Sequence, residues 1–165
     1  MIGKRELITW ILVISMAFGV WYLRADTLCE VTKARDQAFT VEATLITQEA
    51  NETEDGGKTY EHEIVDFTAE AGSEEAEALL AAMDEIACRS RWKMPFERVE
   101  VYSTGKESIE LNFKMEDGRI VDLSLLSGAR TIYDLGSRSR QYSVNASTFE
   151  ILAACIEQYG TVQAE

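Results

Sequence analysis

The chain carries a single histidine, His62, and serine–histidine–acid chemistry would need it beside a nucleophile on a sharp, exposed turn. No G-x-S-x-G or comparable elbow occurs. Glu61 and Glu63 flank His62, but in a strand they point to the opposite face and cannot orient it. A half-buried or surface strand residue is the plainer reading. Oxygen ligands are better spaced in Asn51-Glu52-Thr53-Glu54-Asp55-Gly56, which has them at positions one, three and five of a calcium-type loop and glycine at six. Position one is Asn, position twelve is His62, and strands flank the loop, so Glu52, Glu54 and Asp55 are weak metal candidates and a solvated hairpin tip is the expectation. Paired carboxylates for glycoside hydrolysis can be found in any chain with this many acids and carry no signal without a cleft. Gly56-Gly57 lies in a strand turn rather than ahead of a helix, so it lacks the helix N-terminus that captures phosphate. No catalytic residues are indicated, and no cofactor is expected.

Two patches join arginine to aromatic residues, the composition of interface hot spots and of anion or sugar contacts. The first is Arg89, Arg91, Trp92 and Lys93; the second is Arg130, Arg138 and Arg140 with Tyr133 and Tyr142 around a late hairpin. Compensation of a helix dipole accounts for the first and protection of an edge strand for the second. The second patch is the candidate binding site. Cys29, Cys88 and Cys155 lie too far apart for a CxxC redox or zinc pattern. In an oxidising compartment a Cys29–Cys88 disulfide competes with three unpaired thiols.

The elements that would position these groups follow from periodicity. Phe39, Val41, Ala43 and Leu45 alternate with polar residues as a strand with one buried face. A loop over 48–57 and a second strand over 58–68 complete a hairpin with an acidic tip. Ser73 caps a helix whose stripe is Ala76, Leu79, Leu80, Met83, Ile86 and Ala87, with Arg89, Arg91 and Lys93 at its negative end and Pro95 beyond. On that helix Cys88 falls away from the stripe.

Strands are expected over 99–103, 108–115 and 119–125. A three-residue turn with Gly118 left-handed sets Phe113 opposite Val121, Leu111 opposite Leu123 and Ile109 opposite Leu125, whereas a two-residue turn would bring Asp122 to the apolar face. A further hairpin spans 131–135 and 140–144. Ser147-Thr148-Phe149-Glu150 reads as a capping box for a last helix ended by Gly160, with Phe149, Leu152, Ile156 and Tyr159 buried. The fold class is α+β, an antiparallel sheet with two helices packed on one face, preceded by an N-terminal transmembrane helix.

That helix rests on Leu7 to Leu23, LITWILVISMAFGVWYL, seventeen residues without a charge, about 25 Å of helix and close to a bilayer span. Lys4 and Arg24 can snorkel at its ends, and Trp10, Trp21 and Tyr22 suit the interfaces. Small residues at A-x-A spacing do not follow it, and Leu28 directly before Cys29 is unlike a lipidation signal, so an uncleaved anchor is expected. Lys4 and Arg5 hold the N-terminus in the cytoplasm and send the rest across, a single-pass cell-membrane protein with its bulk extracytoplasmic.

Net charge is −13, and between Glu42 and Glu85 fourteen acids face one base, Lys58. Such a field disfavours nucleic acid and anionic lipid alike as partners. The expected organisation is an anchor over 1–24, a juxtamembrane stalk over 25–37, one domain over 38–160 and a frayed tail over 161–165. This layout resembles that of bacterial cell-surface proteins that carry an N-terminal membrane anchor and one small α+β domain. The resemblance implies a location and no activity. The functional expectation is a non-enzymatic binding module for another envelope protein or a cell-wall component. A wall-acting hydrolase and a weak calcium-responsive surface domain are the alternatives.

Overall fold

The computed structural model describes residues 3–23, 25–52, 56–92, 103–136 and 140–163. The first elements are helix α1 (Lys4–Leu23), a short strand β1 (Asp26–Thr27), and short helices α2 (Leu28–Thr32) and α3 (Ala34–Gln37). Strands β2 (Ala38–Glu52) and β3 (Lys58–Glu70), helix α4 (Glu74–Asp84) and strand β4 (Ala87–Trp92) follow. The chain continues through β5 (Ser108–Met115), β6 (Ile120–Leu126), β7 (Thr131–Asp134), β8 (Arg140–Ser143), helix α5 (Thr148–Tyr159) and β9 (Thr161–Val162). The class is α+β. Among the described residues nine strands form one antiparallel sheet in the order β1-β4-β8-β7-β6-β5-β2-β3-β9.

Alternation builds the core. Val41, Ala43 and Leu45 of β2, Val65, Phe67 and Ala69 of β3, and Ile109, Leu111 and Phe113 of β5 are buried at every second residue, and β6 is buried from Leu123 to Leu126. The β5–β6 register is the one that keeps Asp122 off the apolar face: Phe113 pairs with Val121, Leu111 with Leu123 and Ile109 with Leu125. Gly118 turns the chain at φ +80°, and its amide donates to the Met115 carbonyl at 3.0 Å. Ser73 caps α4 as expected, its Oγ accepting the Ala76 amide at 3.2 Å.

The structure departs from the sequence pattern in five places. First, Phe39 is 49% exposed while Ala38 is buried. The register against β5 shifts between Ala38 and Thr40, and the extra residue of this bulge reverses the pleat and turns Phe39 outward. Second, β2 runs to Glu52 and pairs there with Lys58, so 48–52 belongs to the ladder rather than to a loop.

Third, the segment over 25–37 is no stalk but part of the domain. Thr27 Oγ1 accepts the Glu30 amide (3.1 Å) and the Glu30 carboxylate accepts the Thr27 amide (2.9 Å), a capping box that starts α2. Leu28, Cys29, Thr32 and Ala34 are buried, and Arg35 bridges Glu77 (2.6 Å) and Asp84 (2.8 Å) of α4. Those two carboxylates hold the guanidinium in its charged form more firmly than usual.

Fourth, α4 stops at Asp84 and Ala87–Trp92 is a strand. Pairing with β1 on one side and β8 on the other gives this segment two backbone ladders that a helix tail would forgo. Cys88 is buried as a consequence, and Arg89 and Arg91 point outward from a strand. The expected strand over 99–103 lies, apart from Ser103, outside the described residues, as do Lys93 and Pro95. Fifth, the tail begins as β9: Thr161 pairs with Asp66 and Val162 with Val65, and the Gln163 amide donates to the Ile64 carbonyl at 2.9 Å.

Helix α5 forms where expected, yet Ser147 makes no side-chain cap bond. Its C-terminal glycine has another purpose than handedness, since Gly160 sits at φ −82°. A Cβ there would lie 2.5 Å from the Ile156 carbonyl oxygen and 2.7 Å from Val65 Cγ1. Gly160→Ala is therefore expected to destabilise the fold by about 1 to 3 kcal/mol through overpacking. Urea unfolding of the full chain in detergent, followed by circular dichroism, reads the shift; an unchanged midpoint contradicts the close approach of α5 to β3.

Helix α1 is 20 residues long, about 30 Å. Its described side chains are Glu6, residues 8–17 and Gly19. Among the described residues no helix is long and apolar enough to cross a membrane.

Candidate functional site

Hairpin β7–β8 places the residues of the second arginine–aromatic patch by its register, Thr131 opposite Ser143, Ile132 opposite Tyr142 and Tyr133 opposite Gln141. Side chains alternate across a strand, so the two tyrosines take opposite faces. Ile132 and Tyr142 are 1% and 3% exposed and belong to the core. Tyr142 is accordingly not a surface contact, a correction to the sequence reading. Burial raises its phenol pKa, the Asp134 carboxylate adds to this, and Arg140 opposes both. Arg130 and Arg140 are exposed, and the Val144 amide closes the open end of the hairpin on the Arg130 carbonyl at 3.0 Å. Arg138 lies outside the described residues.

The face that carries Tyr133 gains members that the sequence reading assigned elsewhere. Arg91 pairs with Gln141 and Arg89 with Ser143, so both arginines of the first patch flank the late hairpin through β4. One row across the sheet reads Arg91, Gln141, Tyr133 and Ser124, and the next reads Arg89, Ser143 and Thr131. Gln141 and Ser124 are buried; Arg89 and Arg91 are exposed. The signal for this was present: Cys88-Arg89-Ser90-Arg91-Trp92 alternates with period two, the pattern of a strand rather than of a helix end.

Where β1, β4 and β8 meet lies a concavity of about 320 Å³ lined by Ala25, Ala87, Cys88, Arg89, Ser143, Val144 and Asn145. The Cys88 thiol, which alternation turns to the face opposite Arg89, is pushed up to about 12, by burial first and then by Asp26 and Glu30. At neutral pH it stays protonated and is a poor nucleophile. Burial likewise raises Cys29 and Cys155, and all three cysteines are free, so the Cys29–Cys88 bond is not formed.

No family model, curated protein or solved structure matches the chain. What the protein can do is therefore read from its own side chains.

A smaller concavity of about 230 Å³ lies over the middle of the sheet between Glu42, Thr44, Glu110, Asn112 and Asp122. Glu42 is engaged by the Lys114 ammonium. Burial, assisted by Asp134, holds the Asp122 carboxyl above its usual range. Thr44 donates to Asp66 at 2.9 Å beside it. Among the described residues no three His, Cys, Asp or Glu side chains converge as a metal site. Glu52 sits opposite Lys58 in the β2–β3 ladder, while Glu54 and Asp55 lie outside the described residues. His62 is exposed on β3 opposite Gln48, and no nucleophile adjoins it in that register.

Proposed function

We propose that the protein is a membrane-tethered, extracytoplasmic binding module of the cell envelope, non-enzymatic, held by α1 and engaging an envelope protein or wall component through the β7–β8 hairpin. The observation that carries this reading is the surface of α1. Ile8, Trp10, Ile11, Leu12, Val13, Ile14 and Met16 are each between 46% and 64% exposed. At 3.6 residues per turn these positions circle the helix with no gap wider than about 60°. A helix apolar all round needs a protein core or lipid about it, and these side chains are not taken into the core of this fold. The charge-free run from Leu7 to Leu23 supplies the length. Lys4 and Arg5 before it favour a cytoplasmic N-terminus.

In the same proposal α4 and α5 cover one face of the sheet, which the burial of alternate residues along β2, β3 and β5 supports. On the other face Gln141 and Ser124 are buried and Tyr133 is half-buried, while Arg89 and Arg91 are exposed. Arg130 and Arg140 are exposed at the two ends of the hairpin, on the face opposite Tyr133, and arginines so placed have the composition of interface anchors.

Capture of the partner from crosslinked envelope membranes tests the module. Arg130→Glu with Arg140→Glu should lower recovery of specific neighbours at least about tenfold, since a desolvated charge contact at an interface is worth 2 kcal/mol or more. Neighbours recovered unchanged would remove the hairpin from the interface.

A further inference from the structure

Only Arg24 and Ala25 separate the end of α1 from β1. Three residue steps of extended chain reach about 10 Å, so wherever α1 lies, the start of β1 lies within that distance of its end and β4 about 5 Å beyond. If α1 is the anchor, as proposed above, this edge sits in the headgroup layer, which adds about 5 to 8 Å to each side of the hydrocarbon. The register decides which residues are there. Asp26 pairs with Cys88, and a cross-strand pair shares a face, so the Asp26 carboxylate accompanies Cys88 and not Arg89. Arg89 and Arg91 share the opposite face of β4 and are exposed.

Arg89 and Ser143 are cross-strand partners on one face, and both line the concavity at this edge with Asn145. A guanidinium, a hydroxyl and a carboxamide are a donor set suited to a phosphate oxygen array. The protein's net charge of −13 does not forbid an anion here. The acid-rich strands β2 and β3 are five and six ladder steps from β4 in the sheet order, about 24 Å or more along the sheet and well beyond a Debye length of about 8 Å. The closer carboxylates are Asp26 and Glu30, which act on the Cys88 thiol, and Asp84, which accepts the Thr27 hydroxyl at 3.3 Å and is bridged by Arg35.

We propose that the concavity between β1, β4 and β8 is a headgroup site for an anionic phospholipid, with Arg89 on the phosphate, Ser143 and Asn145 as neutral donors, and Arg91 adding charge at the rim. It rests on the anchor reading for its supply of lipid. Its consequence is orientation: the domain is held edge-down on the bilayer, with the β2–β3 hairpin at the far side of the sheet.

Native mass spectrometry of the full chain in detergent micelles, titrated with phosphatidylglycerol or phosphatidylcholine, tests the site without needing a bilayer. The wild type is expected to prefer phosphatidylglycerol, and Arg89→Gln and Arg91→Gln should each lower that preference about fivefold, the worth of one basic residue at an anionic surface. Both substituted positions are exposed, and circular dichroism confirms that the variants are folded. Equal binding of the two lipids by the wild type, or an undiminished preference in the double variant, overturns the proposal. Displacement of phosphatidylglycerol by millimolar inorganic phosphate also overturns it, because the site would then take free phosphate. Extraction of the wild type from membranes by alkaline carbonate would bring down the anchor reading instead, and the micelle titration distinguishes the two failures.

Discussion

Leu12→Arg combined with Ile14→Arg is expected, on the proposed anchoring by α1, to shift the protein from the membrane pellet to the soluble fraction after alkaline carbonate extraction. The arithmetic decides the sign. Nine Leu, Ile, Val and Phe residues lie between Leu7 and Leu23, and at about −0.3 to −0.6 kcal/mol each they favour insertion by about 3 to 5 kcal/mol. One arginine near the helix centre costs about 2.5 to 3.5 kcal/mol, which brings the balance close to zero. Two arginines, with the loss of Leu12 and Ile14 themselves, carry it past zero by several kcal/mol. Both positions are exposed in α1, so the substitutions leave the domain core untouched. Ile14→Val, which changes the apolar content little, should stay in the pellet. A double variant that remains carbonate-resistant would mean that something other than α1 holds the protein to the membrane, and the proposed function would lose its support.

Phe113→Ala should cost about 3 to 5 kcal/mol of stability, against a total of about 5 to 15 kcal/mol for a domain of this size. Phe113 is fully buried on β5, paired with Val41 of β2 on one side and Val121 of β6 on the other. Truncation leaves a cavity that three rigid strands cannot close. Phe39→Ala supplies the contrast. It removes the same side chain from the bulge of β2, where half of it already meets solvent, and should cost well under the core value. Urea unfolding of the two variants side by side reads the difference. Equal losses would mean that the bulge, and with it the pleat of β2 below Thr40, is misplaced.

These two phenylalanines show where pattern suffices and where it fails. Phe113 is legible because its strand is regular from end to end and its turn leaves one register that keeps Asp122 out of the core. Phe39 has the same alternation on paper, but one inserted residue reverses its face, and a bulge leaves no trace in periodicity. Caps tell a similar story. Thr27-x-x-Glu30 and Ser147-x-x-Glu150 are the same motif in sequence; the first forms both reciprocal bonds, and the second forms none from its serine. Ser147 sits at ψ 0°, in a turn closed by the Thr148 amide on the Asn145 carbonyl at 3.2 Å, and not in the extended geometry that aims an N-cap side chain at the helix amides. The path of the incoming chain chose between them.

The candidate site was legible only in part. Arg130, Tyr133 and Arg140 were singled out by composition, and the hairpin that carries them pairs as expected. Tyr142 was lost to the core because its face follows from the pairing of Ile132, and Arg89 and Arg91 were gained because Ala87–Trp92 leaves α4 to fill the gap between β1 and β8. By itself, then, the sequence determined whatever depends on neighbours along the chain: the α+β class, the capped start of α4, the β5–β6 turn and the charge-free run of α1. Tertiary structure alone decided that 25–37 joins the core, that 87–92 is a strand, and that residue 160 must be glycine against Val65. Each of those depends on a backbone partner many residues away, whose approach supplies hydrogen bonds or steric limits that no local propensity contains.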